Sequence, residues 1–269
     1  MKIGILIVFL ALSLVGSSQC AITSIPFKGG EKLDYIIYYN YKKLWVPAGK
    51  VRFEVNDSIY NGKDCFHFNG RGKTFKEYDW FFKVRDQYQS FATKKELKPE
   101  RFIRNVHEGS TSIYYDYTFN HSKNEAYYKR SKSDQTSDTI TNTHCVFDVM
   151  TTVYYARTID FTKYKVNDTV PLTMILDGKK YETYIRYTGK GTTKTRSGEV
   201  YKVVKFKPLL IEGTIFTGGE DMEVSVSDDK NRVPLLVEAK ILVGSVKVYI
   251  DKMKGLKYPM TSKVVTPKK

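Results

Sequence analysis

Apolar and polar residues alternate along most of this chain with a period of two. Val51, Phe53 and Val55, for example, are separated by charged residues. This alternation is typical of β-strands that turn one face to water. The same kind of pattern predicts further strands over residues 33–40, 80–91, 113–119, 200–207 and 222–226.

Short turn signals separate several of these segments. Asn61-Gly62 lies between two such runs, and so does Asp177-Gly178. Both pairs favour two-residue turns with positive φ, which join neighbouring antiparallel strands. The chain is therefore predicted to form an antiparallel meander.

The segment 232–251 has the length of one long strand, but its apolar phase changes partway along. Residues are apolar at odd positions up to Val243 and at even positions from Val246 onward. An extra residue near Gly244 would exchange the two faces of such a strand. We therefore expect a β-bulge at Gly244, and we expect Pro234 to start the strand, where its missing N–H is tolerated.

One segment has helical periodicity instead. In residues 146–158, Phe147, Met150 and Tyr154 recur at helical spacing and form an apolar stripe without an interior Gly or Pro. Such a stripe usually packs on a sheet. The predicted fold is mainly β: a large curved antiparallel sheet, or a barrel or half-barrel, with one principal helix over about 146–158.

The first eighteen residues have the composition of a signal peptide. A single charge, at Lys2, precedes an apolar run that is too short to span a bilayer, and small residues follow it. Cleavage could extend to residue 20 or 21. A lipoprotein would begin at Cys20, but the larger Gln19 before it favours ordinary cleavage. We expect an exported protein, in the periplasm or associated with the outer membrane.

The rest of the chain shows no repeat, proline-rich linker or shift in composition. We expect one β-rich domain over residues 22–260 and a C-terminal tail over 261–269. No second apolar run has spanning length, so no transmembrane segment is expected.

The chain is strongly basic. Its 44 Lys and Arg residues against 29 Asp and Glu residues give a formal net charge of +15. Such a field favours anionic partners such as acidic glycans or lipid headgroups. Expected export, and the lack of any Lys/Arg block of five or more, argue against nucleic acid. The simpler explanation is a well-solvated basic surface.

The chain has three cysteines, Cys20, Cys65 and Cys145. If Cys20 is lipidated or cleaved off, Cys65 and Cys145 remain as a pair that is expected to form a disulfide in an oxidising compartment. Two alternatives stay open: free buried thiols, or a metal site of Cys65, His67, His144 and Cys145. Structural zinc sites usually have closer Cys spacing, and we expect no metal or other cofactor.

No catalytic signature surrounds the four histidines. Patterns of zinc hydrolases, serine hydrolases and nucleotide-binding loops are missing, so we predict no catalytic residues. The candidates for ligand contact are Arg85, Asp148, Arg157 and Trp45. Salt bridges that anchor the helix or a sheet edge are the favoured explanation of the three charged residues, and ordinary packing is that of Trp45.

Several blocks of the chain, in their order and spacing, resemble the DUF3108 family. The blocks are GEKLDYIIYYNYKKLWVPAGKVRFEV, FKVRDQYQSF, LKPERF, VHEG, FDVMTTVYYAR and IFTGGEDMEVSVSDDKNRVPLLVEAKILVGSVKVYI. The resemblance runs from about Gly30 to Gly255 and is strongest to Bacteroides-like members. It implies an exported, β-rich envelope protein with a curved sheet. It implies no activity and supplies no catalytic residues.

Functions from different classes are consistent with these features. The leading hypothesis is a non-enzymatic cell-envelope protein that binds an apolar or amphipathic ligand, or a partner protein, in the concavity of its sheet. The alternatives are a glycan-acting envelope hydrolase with Asp or Glu in the same concavity, and a basic surface binder of anionic glycan or lipid. Two carboxylates facing each other across a deep pocket would favour the hydrolase. An apolar tunnel would favour the ligand carrier.

Overall fold

The computed structural model describes residues 22, 24–41, 44–133, 136–212, 216, 218–241 and 244–265. The predicted signal peptide, with its cleavage region, lies outside the described residues. Within them the chain forms fifteen strands, one α-helix and two 3₁₀ turns. The strands are β1 (Lys32–Tyr41), β2 (Leu44–Tyr60), β3 (Lys63–Thr74), β4 (Arg85–Thr93), β5 (Pro99–Glu108), β6 (Thr111–Asn120), β7 (Glu125–Lys129), β8 (Asp138–Thr141), β9 (Val146–Phe147), β10 (Thr169–Leu176), β11 (Lys179–Lys194), β12 (Val200–Pro208), β13 (Met222–Ser227), β14 (Pro234–Lys240) and β15 (Ser245–Lys254). The helix α1 is Val149–Ala156, and the 3₁₀ turns are Lys76–Tyr78 and Phe161–Lys163.

All these strands belong to one sheet. Its order runs from β8 back along the chain to β1, and then from β15 back to β9. Neighbouring strands are antiparallel except β9 and β10, which are parallel. The two edge strands, β8 and β9, are not paired with each other, so the sheet is open. The predicted mainly β fold, with a large antiparallel sheet and one principal helix, is confirmed.

The sheet curves so strongly that one short helix meets it from two sides. α1 contacts β3 and β4 in one half of the strand order and β9 and β10 at the far edge of the other half. The turn between β10 and β11 also reaches across, because the Gly178 amide donates to the Tyr117 hydroxyl on β6 at 2.7 Å. The two halves of the sheet therefore face each other around the helix.

The core fills the concave side of this sheet. Phe68 on β3 stacks on Tyr154 of α1 with ring centroids 4.0 Å apart, and Phe27 packs edge-on against both rings. A second cluster, around Phe161 and Phe206, continues the core beneath the other half of the sheet. Stacked and edge-on aromatic pairs add to the free energy gained from burial alone.

Both predicted two-residue turns are confirmed. Asn61 and Gly62 have φ of 48° and 74° between β2 and β3, and Asp177 and Gly178 have φ of 50° and 75° between β10 and β11. Positive φ at both central residues matches the twist of the flanking strands, which is why these dipeptides mark hairpins.

The helix is shorter than the predicted 146–158. Val146 and Phe147 pair with β10 as a short parallel strand, and the helix begins only after Asp148. The Asp148 carboxylate accepts from the Thr151 amide, and the Thr151 hydroxyl accepts from the Asp148 amide, each at 2.9 Å. This capping box sets the boundary. The apolar periodicity of the sequence did not show this boundary, because the short strand and the first turn of the helix are both apolar.

The predicted strand over 80–91 begins only at Arg85. The residues before it form a loop that includes a 3₁₀ turn and leaves Trp80 exposed. At the other end of the chain, part of the predicted tail packs on the sheet. The Val264 amide donates to the Val200 carbonyl, and the Lys202 amide to the Ser262 carbonyl, both at 2.8 Å.

The predicted bulge at Gly244 is wrong. Residues 232–251 are not one bent strand but two antiparallel strands, with Lys240 opposite Ser245 and Gly244 in the turn between them. The apolar phase changes because the chain reverses direction between the two strands. Val243, where the first phase ends, lies outside the described residues. Pro234 does start a strand, as predicted.

Irregular pairing elsewhere accompanies the curvature. Register shifts interrupt the pairing between Asp34 and Tyr35, between Ile37 and Tyr38, between Phe91 and Ala92, between Tyr187 and Gly189, and between Ser225 and Val226. An extra residue on one strand bends it and increases the local twist. We therefore ascribe the curvature to these positions and not to Gly244.

Gly244→Val is expected to destabilise the fold through the hairpin turn. Gly244 has φ of 84°, and a Cβ there would lie 3.1 Å from the Tyr39 hydroxyl. Positive φ costs a branched residue about 1–2 kcal/mol, and the close contact adds to this, so we expect a loss of about 2–3 kcal/mol in urea unfolding. Ser245→Val, in the adjacent strand position, is the control and should cost less. Equal losses in the two variants would contradict the assignment of strain to Gly244.

Candidate functional site

An apolar cavity of about 410 Å³ lies between α1 and the concave face of the sheet. Most of its wall is aliphatic or aromatic, with contributions from both halves of the sheet, from the helix and from the segment that follows β12. Representative lining residues are Leu33, Phe53, Val153, Leu172, Phe206 and Val224. The volume lies within the range of pockets that bind small molecules.

Acidic side chains do not contribute to this wall. Among the described residues that line the cavity there is no Asp or Glu. A glycosidase of the usual kind needs two carboxyl groups that flank the scissile bond. The cavity therefore provides no acid pair for the hydrolase hypothesis.

Three residues on the helix side of the cavity carry buried polar atoms. The Tyr154 hydroxyl, Arg157 Nε and the Thr152 hydroxyl are buried and have no hydrogen-bond partner within the described part of the chain. All three residues line the cavity. Buried polar atoms are normally paired, so these three atoms are exceptions within the described part of the chain.

Arg157 follows α1 and forms a fully buried ion pair with Glu31. Its Nη1 donates to Glu31 Oε1 at 2.6 Å and its Nη2 to Oε2 at 2.9 Å, and Nη2 also donates to the Asn231 carbonyl at 3.0 Å. The Phe27 and Tyr154 rings lie 5.1 and 5.6 Å from the guanidinium carbon. Burial acts to lower the pKa of Arg157, but the Glu31 carboxylate outweighs it and raises that pKa. The predicted anchoring of the helix by a salt bridge is confirmed for Arg157, which also lines the cavity.

Asp148 anchors the start of the helix. Besides capping α1, its carboxylate accepts from the Ser90 hydroxyl on β4 at 2.6 Å. Burial raises the pKa of Asp148 to about 6, although hydrogen bonds from Ser90 and Thr151 act in the opposite direction. Asp148 therefore has an anchoring role, through hydrogen bonds and not through the predicted salt bridge.

Like Asp148, the other two candidates for ligand contact do not line the cavity. Arg85 forms a two-pronged salt bridge with Asp79, with distances of 2.5 and 3.1 Å, and this holds the loop before β4. The Trp45 ring is partly exposed, and Lys247 Nζ lies 5.0 Å from its centroid. Neither residue lines the apolar cavity.

The predicted disulfide between Cys65 and Cys145 is wrong, because Cys65 is a free, buried thiol. Phe66 and Phe68 of β3 belong to the same core cluster as Met150 of α1. Since strand side chains alternate between faces, Cys65 points to the other face, away from the helix that Cys145 precedes. Burial raises the pKa of the Cys65 thiol, which keeps it protonated and a weak nucleophile.

The alternative metal site is not assembled either. The His67 ring stacks on Phe91 at 4.4 Å and contacts Gln89 at 3.2 Å, on the same face as Cys65, while His144 is exposed before α1. Nowhere in the described residues do three or more His, Cys, Asp or Glu side chains form a group that could hold a metal ion.

A pair of acidic side chains that sequence reasoning missed lies near the start of β4. Burial and, to a smaller extent, the neighbouring Glu108 carboxylate raise the pKa of Asp86 to about 7 against the opposing effects of the His107 amide and Arg104. Glu108 Oε2 is buried without a hydrogen-bond partner among the described residues. No sequence signal marked this pair. Asp86 lies at the start of β4 and Glu108 at the end of β5, and the two come together only when these strands pair in the antiparallel sense.

The fold and the cavity define an open, curved β-sheet protein with an apolar interior site. The chain belongs to the family described as "Protein of unknown function (DUF3108)", whose profile matches residues 34–251. The resemblance noted from the sequence is thereby confirmed.

A solved structure shares this fold. It is described as a β-barrel-like protein of the domain of unknown function DUF1849 from Brucella abortus. The TM-score is 0.57 at 11% identity, and the match covers 88% of this chain and 100% of that one. No curated protein matches this chain. No helix among the described residues is long and apolar enough to cross a membrane.

Arg157→Met is expected to lower the free energy of unfolding by about 3–5 kcal/mol, because Glu31 would stay buried without its counter-charge. Adding Glu31→Leu should recover part of this loss, since the double variant buries no charge. Arg52→Met is the control, because it breaks the exposed Arg52–Asp34 pair and should cost less than about 1 kcal/mol. Urea unfolding measures all three. A loss for Arg157→Met no larger than that of the control would contradict the anchoring role.

Asp86→Asn is expected to change how stability depends on pH. A carboxyl whose pKa is higher in the folded than in the unfolded state contributes most below about pH 4 and loses that contribution as the pH rises through about 7. The variant should therefore match the parent near pH 4 and exceed it at pH 8 by about 1–2 kcal/mol, discounted for partial solvent exposure. Exposed Asp251→Asn is the control. Parallel pH curves for the parent and Asp86→Asn would refute the assignment.

Proposed function

We propose that this protein is a non-enzymatic binding protein of the cell envelope that holds an apolar or amphipathic ligand between α1 and the curved sheet. One observation carries the proposal: the cavity of about 410 Å³ has an almost wholly apolar wall with no acidic group among its described residues. Such a wall is suited to displacing water from a ligand and not to proton transfer.

The expected driving force is the burial of ligand surface. Burying about 200 Å² of apolar ligand surface contributes about 5 kcal/mol before the entropy of association is subtracted. The cavity has the volume of a small-molecule site, so a small ligand suits it better than a segment of a partner protein.

An amphipathic ligand suits the site better than a pure hydrocarbon. Tyr154, Thr152 and Arg157 line one side of the wall, and each has a buried polar atom without a partner among the described residues. We expect a carboxyl, hydroxyl or phosphate group of the ligand to accept hydrogen bonds from these atoms once their side chains turn toward it, while the apolar part fills the rest. We expect these donors to fix the orientation of the ligand.

The location in the envelope rests on the amino-terminal sequence. Residues 1–18 carry the charge, apolar run and small residues of a signal peptide. We propose export to the periplasm or to a site associated with the outer membrane, with ordinary cleavage and not lipidation at Cys20.

The protein purified from its own host should carry a small apolar or amphipathic molecule when examined by native mass spectrometry. The mass of the chain in the same spectrum reports whether the signal peptide was removed. A ligand-free chain from native material would count against the carrier. An uncleaved chain would count only against export, so the two parts of the proposal fail separately.

Val153→Trp tests the cavity directly. Val153 lines the cavity and is 37% exposed, so it lies where the cavity meets solvent. A Trp there should reduce binding of N-phenyl-1-naphthylamine, a fluorescent apolar probe, at least tenfold. Val166→Trp is the matched control, because Val166 is 56% exposed and lies away from the cavity. Equal probe binding by the two variants would exclude this cavity as the site.

A further inference from the structure

The loop between β3 and β4, residues 75–84, presents consecutive aromatic side chains to solvent. Trp80 is 84% exposed and Phe81 78% exposed, and Phe82 is also exposed. Single exposed apolar residues are common, but a contiguous group of large ones usually marks an interaction surface. We call residues 75–84 the aromatic loop.

The backbone holds the aromatic loop in a defined conformation. The Phe81 and Phe82 amides both donate to the Tyr78 carbonyl at 3.0 Å. Asp79 accepts from the Thr74 hydroxyl at 2.7 Å and forms the salt bridge with Arg85. The exposure of Trp80 and Phe81 is therefore imposed by the fold.

Basic side chains surround the base of the aromatic loop. On the face of the sheet opposite to the cavity, Lys50 lies directly across from Lys73, and Arg52 across from Arg71. Like charges directly opposite each other on neighbouring strands destabilise a sheet. Asp34 neutralises Arg52. Within the described residues, Lys50, Arg71 and Lys73 have no acidic partner within 4.0 Å.

These basic residues and the aromatic loop share one surface. Lys50, Arg71 and Lys73 line a cleft of about 730 Å³, and Phe75, the first residue of the aromatic loop, lines it too. The six Lys and Arg residues of the cleft outnumber its three acidic residues, Asp34, Asp86 and Asp251. The loop adds exposed Lys76 and Lys83 and one exposed acid, Glu77. The surface therefore combines projecting aromatic rings with an excess of basic side chains at their base.

We propose that the aromatic loop and the neighbouring Lys50, Arg71 and Lys73 dock this protein onto a bilayer surface that contains anionic phospholipid. Aromatic rings favour the boundary between headgroups and acyl chains, and Lys and Arg are attracted to the phosphates above it. A free anion would account for the cations but not for the rings. This surface is separate from the apolar cavity, so the inference does not depend on the proposed function.

Trp80 fluorescence tests the docking. The chain has two tryptophans, so Trp45→Phe leaves Trp80 as the only reporter. With phosphatidylcholine vesicles containing 30% phosphatidylglycerol we expect a blue shift of its emission and co-sedimentation of the protein. With pure phosphatidylcholine both effects should be at least tenfold weaker. Equal binding to the two vesicle types, or no binding to either, would overturn the proposal.

Matched variants separate the contribution of the aromatic rings from that of the basic side chains. Binding is measured by co-sedimentation, with both tryptophans otherwise retained. Trp80→Ser with Phe81→Ser should reduce vesicle binding at least tenfold, and so should Lys50→Gln with Arg71→Gln and Lys73→Gln. The controls are Ile59→Ser, at an exposed apolar residue at the far end of β2, and loss of the three exposed lysines Lys129, Lys163 and Lys254. If the control substitutions reduced vesicle binding as much as the test substitutions, the attraction would be nonspecific and the proposal would be overturned. The proposal would also be overturned if the protein did not bind vesicles and instead self-associated in a way that depends on Trp80.

Discussion

The buried ion pair between Glu31 and Arg157 is the interaction on which the arrangement of the core depends. It joins the residue after α1 to the start of β1, and the bond from Arg157 to the Asn231 carbonyl adds the turn between β13 and β14. Neither charge is exposed. Removing two charges from water is costly, so such a pair persists only where the geometry is good and the remaining hydrogen bonds are largely made. Its contribution is to specify where the helix ends relative to both halves of the sheet.

The two ends of α1 are held differently, and the cavity follows from this. Asp148 attaches the start of the helix to Ser90 on β4, and Arg157 attaches the end to Glu31. An eight-residue helix held at both ends spans the concavity without filling it, because strands from two halves of the sheet must curve around it. The apolar space beside the helix is what remains between them.

Much of the fold was predictable from local signals, and the site was not. Period-two alternation and the dipeptides Asn61-Gly62 and Asp177-Gly178 indicated the antiparallel meander, and helical spacing indicated α1. The hairpin at Gly244 was mistaken for a bulge, because a phase change looks the same whether a strand bends or reverses. Cys65 and Cys145 were predicted to form a disulfide because they remain as a pair once Cys20 is set aside, and alternation does not show which face of the Cys65 strand meets the helix. The partners of Arg157 come from positions 126 and 74 residues away, a separation that no local pattern encodes.

Alternation along the same strands produces two surfaces of opposite character. On β2, Val51 and Phe53 line the apolar cavity, while Lys50 and Arg52, which alternate with them, line the basic cleft on the other face. A one-residue slip of β2 would place two charges in the core and two apolar side chains in the cleft, so burial on one face enforces the register of the other. The opposed cations of β2 and β3 repel each other, but burial of the apolar face keeps them in place. The basic surface thus depends on the core behind it, and Tyr35 and Val51 line both the cleft and the cavity.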